Sequence, residues 1–228
     1  MRTSALGARE DTSEEGIGTA ISFAHVTVVC DRRRLLDDLT FEVPLGVTVA
    51  LLGPPGAGKT TAIETGLGVR RIDGGVIRLL GLGPAVAIAS GRVGAALSSW
   101  GLPGGARVRE LLGFVRALHH APLSMDDLVD RAGLESLMDR PTDRLSLSQA
   151  RRLRFALALA GDPDLLFLDD PDRDLDLQAL GDLRTNLERL RDEGRTLLLA
   201  TRDADLAASS ADRVIVLERG RLRGERGP

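Results

Sequence analysis

The chain has 228 residues, of which 43% are hydrophobic and 28% are charged, and its formal net charge is −3. This length suits one α/β domain, or at most two small ones, with the composition of a globular protein. The mild negative charge argues against a broad basic surface for nucleic acid or an anionic membrane. No apolar run approaches the ~18 residues of a membrane-spanning helix, so a role at a membrane would require a spanning partner.

The basic residues and the cysteine count are also informative. Among the 30 lysines and arginines, Lys59 is the only lysine, which draws attention to its position. The single cysteine, Cys30, cannot form an intrachain disulfide. This cysteine usage fits a reducing cytosol.

The chain changes character after its first residues. Residues 1–18 mix small, polar and charged residues without periodicity and predict a flexible tail, which leaves residues 19–228 for the folded domain. Short β-branched segments follow at 21–29 and 39–43 and predict two strands. The arginine run at 32–34 between them predicts a hairpin turn that faces solvent.

An apolar run at residues 47–52 ends at a glycine and precedes a helix that is predicted to begin at Lys59. This order is typical of a buried parallel strand, a turn and a helix. Residues 74–82 predict an edge strand, and helical periodicity appears over 107–140 and 151–160.

Strands and helices alternate in the C-terminal part. Three short apolar strands are predicted, at residues 165–168, 196–200 and 214–217. An amphipathic helix around residues 175–190 separates the first two. Alternation of this kind predicts an α/β fold with a largely parallel core sheet.

The segment after the strand at 47–52 reads Gly-Pro-Pro-Gly-Ala-Gly-Lys-Thr and matches the phosphate-loop pattern G-x-x-x-x-G-K-[ST]. Glycines let the backbone N–H groups wrap around phosphate oxygens, and the following helix points its positive end at them. Lys59 is predicted to reach the β- and γ-phosphates, and the Thr60 hydroxyl to ligate Mg²⁺. A chance glycine-rich turn is the alternative. The residues predicted to bind nucleotide are Gly53, Pro54, Pro55, Gly56, Ala57, Gly58, Lys59, Thr60 and Thr61.

A second candidate site lies where the apolar strand at 165–168 leads into Asp169 and Asp170. In a phosphate-loop protein the first acid is placed to hold Mg²⁺, and the next to orient or deprotonate the attacking water. The alternative is a solvated acidic turn, since Asp172 and Asp174 follow. The phosphate loop upstream favours the metal site.

Residues 145–149 read Leu-Ser-Leu-Ser-Gln and are followed by a basic helix and then the Asp169 strand. This arrangement resembles the ATP-binding-cassette (ABC) ATPase domains, whose signature reads L-S-G-G-Q at this distance before the acidic strand. Residues 161–171 and 211–221 also resemble that family, and the resemblance extends from about residue 21 to 222. The Gly-Pro-Pro-Gly spelling of the phosphate loop is similar to that of AAA+ ATPases too, but a signature-like helix start has no place there.

The resemblance implies a phosphate-loop fold of ABC type. Its parts are a mostly parallel core sheet, an N-terminal antiparallel β-subdomain and a helical subdomain at about 99–145. In that family two domains stack head to tail, and each ATP lies between one chain's phosphate loop and the other chain's signature. By this resemblance Ser146, Ser148 and Gln149 act on the partner's ATP. The partner is either a second copy or a different ABC domain.

Several functional positions of the family carry other residues in this chain. Cys30 stands where the family has the aromatic that stacks on adenine, and Ser98 or Ser99 where it has the glutamine that senses Mg²⁺ and the membrane partner. Leu147 and Ser148 replace the two signature glycines. Asp170 replaces the catalytic glutamate, and Arg202 replaces the switch histidine.

Two of these replacements bear on hydrolysis. Asp170 keeps the charge of a glutamate but is one methylene shorter, and a misplacement of about 1 Å can cost about a hundredfold in rate. Arg202 is a permanent cation that can clamp the γ-phosphate but cannot relay a proton. We therefore expect ATP binding to exceed ATP turnover.

The sequence favours the ATP-binding subunit of an ABC transporter, with ATP and Mg²⁺ as ligands and a membrane-spanning subunit as partner. Its expected location is the cytoplasm, peripheral at the inner face of the cell membrane when assembled. The first alternative is a catalytically impaired, nucleotide-responsive regulatory or assembly protein with the same fold. The second, a soluble ABC protein acting on DNA or ribosomes, is disfavoured by the single short cassette and the negative charge, so no nucleic-acid partner is expected.

Overall fold

The computed structural model describes residues 18–227. Of the tail predicted at residues 1–18, all but Gly18 lies outside the described residues, as does Pro228. In chain order the elements are β1 (Thr19–Cys30), β2 (Arg33–Pro44), β3 (Thr48–Leu52), α1 (Lys59–Gly66), β4 (Gly74–Leu79), α2 (Pro84–Ala89), β5 (Val93–Ala96), α3 (Val108–Arg116), α4 (Met125–Ala132), α5 (Leu147–Leu159), β6 (Leu165–Asp169), α6 (Leu177–Asp192), β7 (Thr196–Thr201), α7 (Ala204–Ser210), β8 (Arg213–Glu218) and β9 (Arg221–Arg226). Short 3-10 turns at Glu135–Leu137 and Thr142–Arg144 lie between α4 and α5.

The strands form two sheets. Strands β2, β1 and β4 make an antiparallel sheet in that order, and β5, β6, β7, β3, β8 and β9 make a six-stranded sheet. Every neighbouring pair from β5 to β8 is parallel, and β9 runs antiparallel to β8. The predicted fold, a mostly parallel core sheet with an N-terminal antiparallel sheet, is confirmed.

The central strands of the larger sheet are buried on both faces because their sequences are nearly continuous apolar runs. Strands β6 and β7 are buried at every position. Strands β3 and β6 are parallel and both pair with β7, so their carboxyl ends emerge at the same edge of the sheet. The phosphate loop and the two predicted acids therefore leave the sheet side by side.

Helix α1, which follows the phosphate loop, is packed between the two sheets. A Cβ atom added to Gly66 would lie 3.3 Å from ring atoms of both Phe23 in β1 and Phe167 in β6. Since both rings belong to a closely packed core, a side chain at this point would require one of the rings to shift. The helix that carries Lys59 is thus fixed from two sides.

The predicted helical region consists of short helices. The periodicity over residues 107–140 corresponds to α3 and α4, with a break between them. Ser124 begins α4 by accepting a 3.0 Å hydrogen bond from the N–H of Asp127, and Gly133 ends it at a φ of 60°. The apolar faces of α3 and α4 pack with α5 and α6 into a second core. Within residues 18–227, no helix combines the length and apolarity needed to cross a membrane.

Four elements were not predicted, namely α2, β5, α7 and β9. Strand β5 is rich in Gly and Ala and β9 in Arg, and neither composition favours a strand. The expected position of the arginine run is wrong in part. Pairing between β1 and β2 continues to Cys30 and Arg33, so Arg33 and Arg34 lie in the strand and the turn holds Asp31 and Arg32.

Candidate nucleotide-binding site

The phosphate loop depends on glycines for space and for backbone conformation. It begins where β3 ends, at Gly53, whose added Cβ would lie 2.3 Å from the carbonyl oxygen of Leu217. Gly58, the residue before α1, has a φ of 105°, and its added Cβ would lie 2.9 Å from the carbonyl oxygen of Leu35. Gly56 also has a positive φ of 77°. The loop thus has a shape that side chains at these positions would not permit.

The Lys59 side chain folds back over its own loop. It is 6% exposed, and its Nζ donates hydrogen bonds to the carbonyl oxygens of Gly53 at 2.7 Å and Pro54 at 3.3 Å. Burial lowers the pKa of the ammonium group, and the nearby carboxylates of Asp170 and Asp169 oppose that shift. The cation is held inside the loop, with one of its three N–H donors left for a ligand.

Asp169 lies at the end of β6 with both carboxylate oxygens engaged. It is 2% exposed. Its Oδ1 accepts a 2.9 Å hydrogen bond from Oγ1 of Thr60, and its Oδ2 accepts one of 2.8 Å from Oγ of Ser98. Burial raises the pKa of this carboxyl group, and the two hydroxyl donors act in the opposite direction. The two residues predicted to hold the metal are therefore in direct contact.

Ser98 was expected only as one of two serines at the glutamine position, and the structure brings its hydroxyl to the acid. The next residues connect this contact to α5, since Nε of Arg154 donates a 2.8 Å hydrogen bond to the carbonyl oxygen of Trp100. Trp100 itself is 46% exposed. The sequence indicated a polar residue shortly after β5, a strand that was not predicted. That indication did not distinguish Ser98 from Ser99.

The residues at this edge fit a triphosphate with Mg²⁺. A carboxylate and a hydroxyl supply the hard oxygen ligands that Mg²⁺ prefers. The first N–H groups of α1 have no acceptor within the helix and, together with the helix dipole, favour an anion at its N-terminus. Lys59 adds a full positive charge beside them. The donor set and the charge distribution match what a phosphate–metal complex needs.

The two residues predicted to be catalytic also lie close together. Nε of Arg202 is 3.9 Å from Oδ2 of Asp170, which places them at the limit of an ion pair. Oδ1 of Asp170 is buried and has no hydrogen-bond partner among residues 18–227. The Asp170 side chain is 16% exposed and that of Arg202 is 41% exposed, so the carboxylate is largely buried while the guanidinium reaches solvent.

A third acid faces this edge of the sheet. Oδ1 of Asp172 accepts a 3.0 Å hydrogen bond from Oγ1 of Thr201, at the end of β7. Burial raises the pKa of Asp172, and the hydrogen bond from Thr201 opposes that shift. In the sequence Asp172 appeared only as a member of an acidic turn, because its partner on β7 is distant along the chain.

The signature segment (residues 145–149) begins helix α5 and is organised by its own side chains. Oγ of Ser146 accepts from the N–H of Gln149 at 3.2 Å, and Oε1 of Gln149 accepts from the N–H of Ser146 at 3.0 Å. Nη1 of Arg140 donates a further 2.9 Å hydrogen bond to Oε1 of Gln149. Leu147 is 70% exposed, and Ser148 is half-buried.

The structure does not bring the signature segment to the phosphate loop of the same chain. Across residues 18–227, no hydrogen bond joins Ser146, Ser148 or Gln149 to residues 53–61. Cys30, at the expected base-stacking position, is exposed at the end of β1. Within the described chain, the signature segment is therefore not hydrogen-bonded to the phosphate loop.

The sequence of this chain is similar to those of known proteins. The model of the ABC transporter family matches residues 36–173. A sulfate/thiosulfate import ATP-binding protein of Nocardia farcinica is 35% identical over 194 residues, which cover 82% of this chain and 59% of that protein. A Nod factor export ATP-binding protein I of Burkholderia thailandensis is 37% identical over 215 residues, which cover 91% of this chain and 71% of that protein. The chain thus spans 59% of the length of the first relative, which is less than two thirds.

Solved structures show the same fold. An ATP-binding subunit of an ABC transporter matches with a TM-score of 0.82 and 22% identity, over 92% of this chain and 90% of that one. A dimeric ATP-binding cassette in a post-hydrolysis state, bound to ADP and phosphate, matches with a TM-score of 0.81 and 20% identity, over 91% of this chain and 98% of that one.

Proposed function

Since this chain belongs to the ABC transporter family, we propose that it is the ATP-binding subunit of a transporter. It binds Mg-ATP through residues 53–61 and couples that binding to a membrane-spanning partner. Its place is the cytoplasmic face of the membrane that holds this partner. The relatives named above include both import and export proteins.

One observation supports nucleotide binding most directly. The Thr60 hydroxyl, one residue after Lys59, donates a 2.9 Å hydrogen bond to Asp169 across 109 residues of sequence. A chance glycine-rich turn would not place a hydroxyl and a buried carboxylate together at the mouth of the loop. The contact therefore favours a metal–phosphate site over a chance glycine-rich turn.

The residues of the site divide the work of binding ATP. Lys59 and the N–H groups at the start of α1 attract and orient the triphosphate. Thr60 and Asp169 would hold Mg²⁺, which supplies charge neutralisation at the phosphate oxygens when bound. Ser98 orients Asp169 from the other side. Together these side chains fix the geometry before any ligand arrives, which lowers the cost of binding.

The position of the signature segment supports the proposed dimer. Ser146, Ser148 and Gln149 make no hydrogen bond to the phosphate loop within residues 18–227. In the head-to-tail arrangement of the family they would serve the ATP of a second ABC domain. The free N–H groups at the start of α5 suit an anion. The exposed Leu147 places a branched side chain where the family has glycine, and this weakens the approach of the partner's nucleotide. The partner is a second copy or a different ABC domain.

Turnover in this chain is proposed to be slower than in other members of the family. The shorter Asp170 must reach the attacking water from a backbone position suited to a glutamate. Arg202 stands beside it, with Nε 3.9 Å from Oδ2, and a guanidinium neither accepts nor passes on a proton. ATP binding therefore exceeds ATP hydrolysis.

The same two residues favour one alternative function. A chain that binds ATP but hydrolyses it very slowly suits a nucleotide-responsive regulatory or assembly protein with an ABC fold. The two functions differ in the partner, because the transporter subunit acts with a membrane-spanning protein. Copurification of the full chain from detergent-solubilised membranes separates them.

The test of nucleotide binding is the affinity for Mg-ATP of the wild type, Lys59→Ala and Arg78→Ala, measured by calorimetry. Because charge-assisted hydrogen bonds contribute about 1.5–3 kcal/mol, we expect Lys59→Ala to weaken binding about ten- to hundredfold. Arg78, an exposed cation in β4, is the control and should change nothing. Equal affinities for all three proteins would refute the proposal, and turnover at the rate of an ordinary transporter cassette would refute the slow hydrolysis.

A further inference from the structure

The loop that follows β6 has an unusual backbone. Asp170 has a φ of 45° and Asp174 a φ of 58°, both in the left-handed region that favours glycine. Aspartate tolerates this region better than most residues, yet the conformation persists only where the surroundings hold it. The position of the acid predicted to be catalytic therefore depends on contacts made by neighbouring elements.

Arg151 supplies such a contact at both ends of this loop. Its Nη1 donates a 2.9 Å hydrogen bond to the carbonyl oxygen of Asp170, and its Nη2 donates one of 3.0 Å to Oδ2 of Asp174. The Arg151 side chain is 13% exposed. A planar guanidinium presents its donors at a fixed spacing, so the two acceptors are held at a fixed distance from each other.

The other side of the loop is held by the sheet. The N–H of Asp170 donates a 2.8 Å hydrogen bond to the carbonyl oxygen of Ala200 in β7. The peptide groups on either side of Asp170 are thus bound to different elements, the N–H to β7 and the carbonyl to α5. Only the second of these bonds involves a side chain, and it can be removed by substitution.

We propose that Arg151 is a positioning residue for ATP hydrolysis, holding Asp170 in place from the helix that begins with the signature segment. The inference rests on the proposed function, since it assumes that Asp170 orients or deprotonates the attacking water. It goes further because it assigns a role in the reaction to a residue outside the phosphate loop, the acids and the signature segment.

The location of Arg151 gives this contact a second consequence. Arg151 lies on α5, little more than one turn after Ser146, which caps the start of the same helix. In the proposed dimer the first turn of α5 contacts the partner's nucleotide. Arg151 therefore connects the site that this chain completes for its partner to the acid that acts in its own site.

The test compares Arg151→Gln with Arg152→Gln. Arg152 is the matched control because its guanidinium faces elsewhere, with Nη1 3.4 Å from the carbonyl oxygen of Gly133 and Nη2 3.7 Å from Asp182. For Arg151→Gln we expect kcat to fall about ten- to hundredfold, the cost of a misplacement near 1 Å. The KM and the dissociation constant for Mg-ATP should stay within about twofold of the wild type, as for an interaction needed only in the transition state.

A conservative variant separates positioning from charge. Arg151→Lys keeps the positive charge, but a single ammonium on a flexible stem does not span both acceptors at fixed spacing. We expect its kcat to resemble that of Arg151→Gln. Full activity in Arg151→Lys, or an equal loss in Arg152→Gln, would show that charge or helix stability explains the effect and would overturn the proposal.

Amide hydrogen exchange of the peptide that covers residues 168–176 provides a readout that does not need hydrolysis. Exchange should accelerate there in Arg151→Gln and remain unchanged in Arg152→Gln. Asp174→Asn weakens only the bond from Arg151 to Asp174 and should have a smaller effect. The double variant should be no worse than Arg151→Gln, which already lacks the bonds to both Asp170 and Asp174. Unchanged exchange in Arg151→Gln, or strictly additive effects, contradicts the inference. This measurement tests whether Arg151 holds the loop independently of ATP binding, whereas a wild type that fails to bind ATP would overturn the proposed function.

Discussion

The hydroxyl of Ser98 donates a 2.8 Å hydrogen bond to Oδ2 of Asp169, while Thr60 donates to the other oxygen of the same carboxylate. The acid is thus oriented from two elements at once, α1 and the segment after β5. Since Asp169 is buried, loss of one donor leaves an acceptor without a partner, and this is costly for a charged group.

The first prediction is that Ser98→Ala raises the Mg²⁺ concentration needed for tight ATP binding by about tenfold, corresponding to about 1.5 kcal/mol for a hydrogen bond to a charged group. ATP affinity is titrated at a series of Mg²⁺ concentrations. Ser99→Ala serves as the control and should behave as the wild type. The same Mg²⁺ dependence in both variants would assign the contact no role in metal binding.

The second prediction tests the proposed slow turnover. The double substitution Asp170→Glu with Arg202→His restores a longer carboxylate and a group that exchanges protons. We expect turnover to rise by about a hundredfold, since a misplacement near 1 Å has about that cost. Steady-state phosphate release by the complex with its partner measures it. An unchanged rate would place the limiting step elsewhere, for example at the signature segment with Leu147.

The third prediction tests the space around the phosphate loop. Gly53→Ala would place a Cβ 2.3 Å from the carbonyl oxygen of Leu217, so the loop or β8 must move. We expect the free energy of unfolding in urea to fall by about 1–3 kcal/mol, as for other overpacked sites, and ATP affinity to fall with it. Gly101→Ala, where an added Cβ meets nothing within 4 Å, should leave both quantities unchanged.

The fourth prediction uses the pH dependence of stability. Burial raises the pKa of Asp172 in the folded chain, so the folded state binds the proton more tightly than the unfolded state does. Stability contributed by this group is present at low pH and is lost as pH rises from its unfolded pKa through its raised folded pKa. Asp172→Asn, which carries no charge, should therefore be more stable than the wild type at pH 7 and lose that advantage as the pH is lowered towards 4. Urea unfolding at both pH values checks it, and a constant difference would contradict the assignment.

The sequence alone was sufficient to predict functional residues that belong to short, contiguous motifs. The phosphate loop and Asp169 follow directly from short motifs at the ends of apolar strands, and the structure places them together. The core sheet was predictable for the same reason, because β3, β6 and β7 are apolar runs that only a sheet with two covered faces can bury.

The remaining features depend on contacts between distant residues. Ser98 could not be distinguished from Ser99 without β5, whose Gly and Ala residues carry no strand signal. The guanidinium of Arg151 binds Asp170 and Asp174, which lie 19 and 23 positions further along the chain. No local sequence pattern specifies these contacts. The left-handed backbone of Asp170 is equally hidden, since aspartate before proline predicts an extended conformation.

Cys30 is exposed at the end of the hairpin formed by β1 and β2, and no other residue of the sequence is a cysteine. A thiol-reactive spin label would therefore attach at one known point of the unmodified chain. In a symmetric dimer it would yield a single distance between two hairpins, whereas a heterodimer with a cysteine-free partner would yield none. The stoichiometry of the proposed dimer is thus accessible to spectroscopy without altering any residue of the protein.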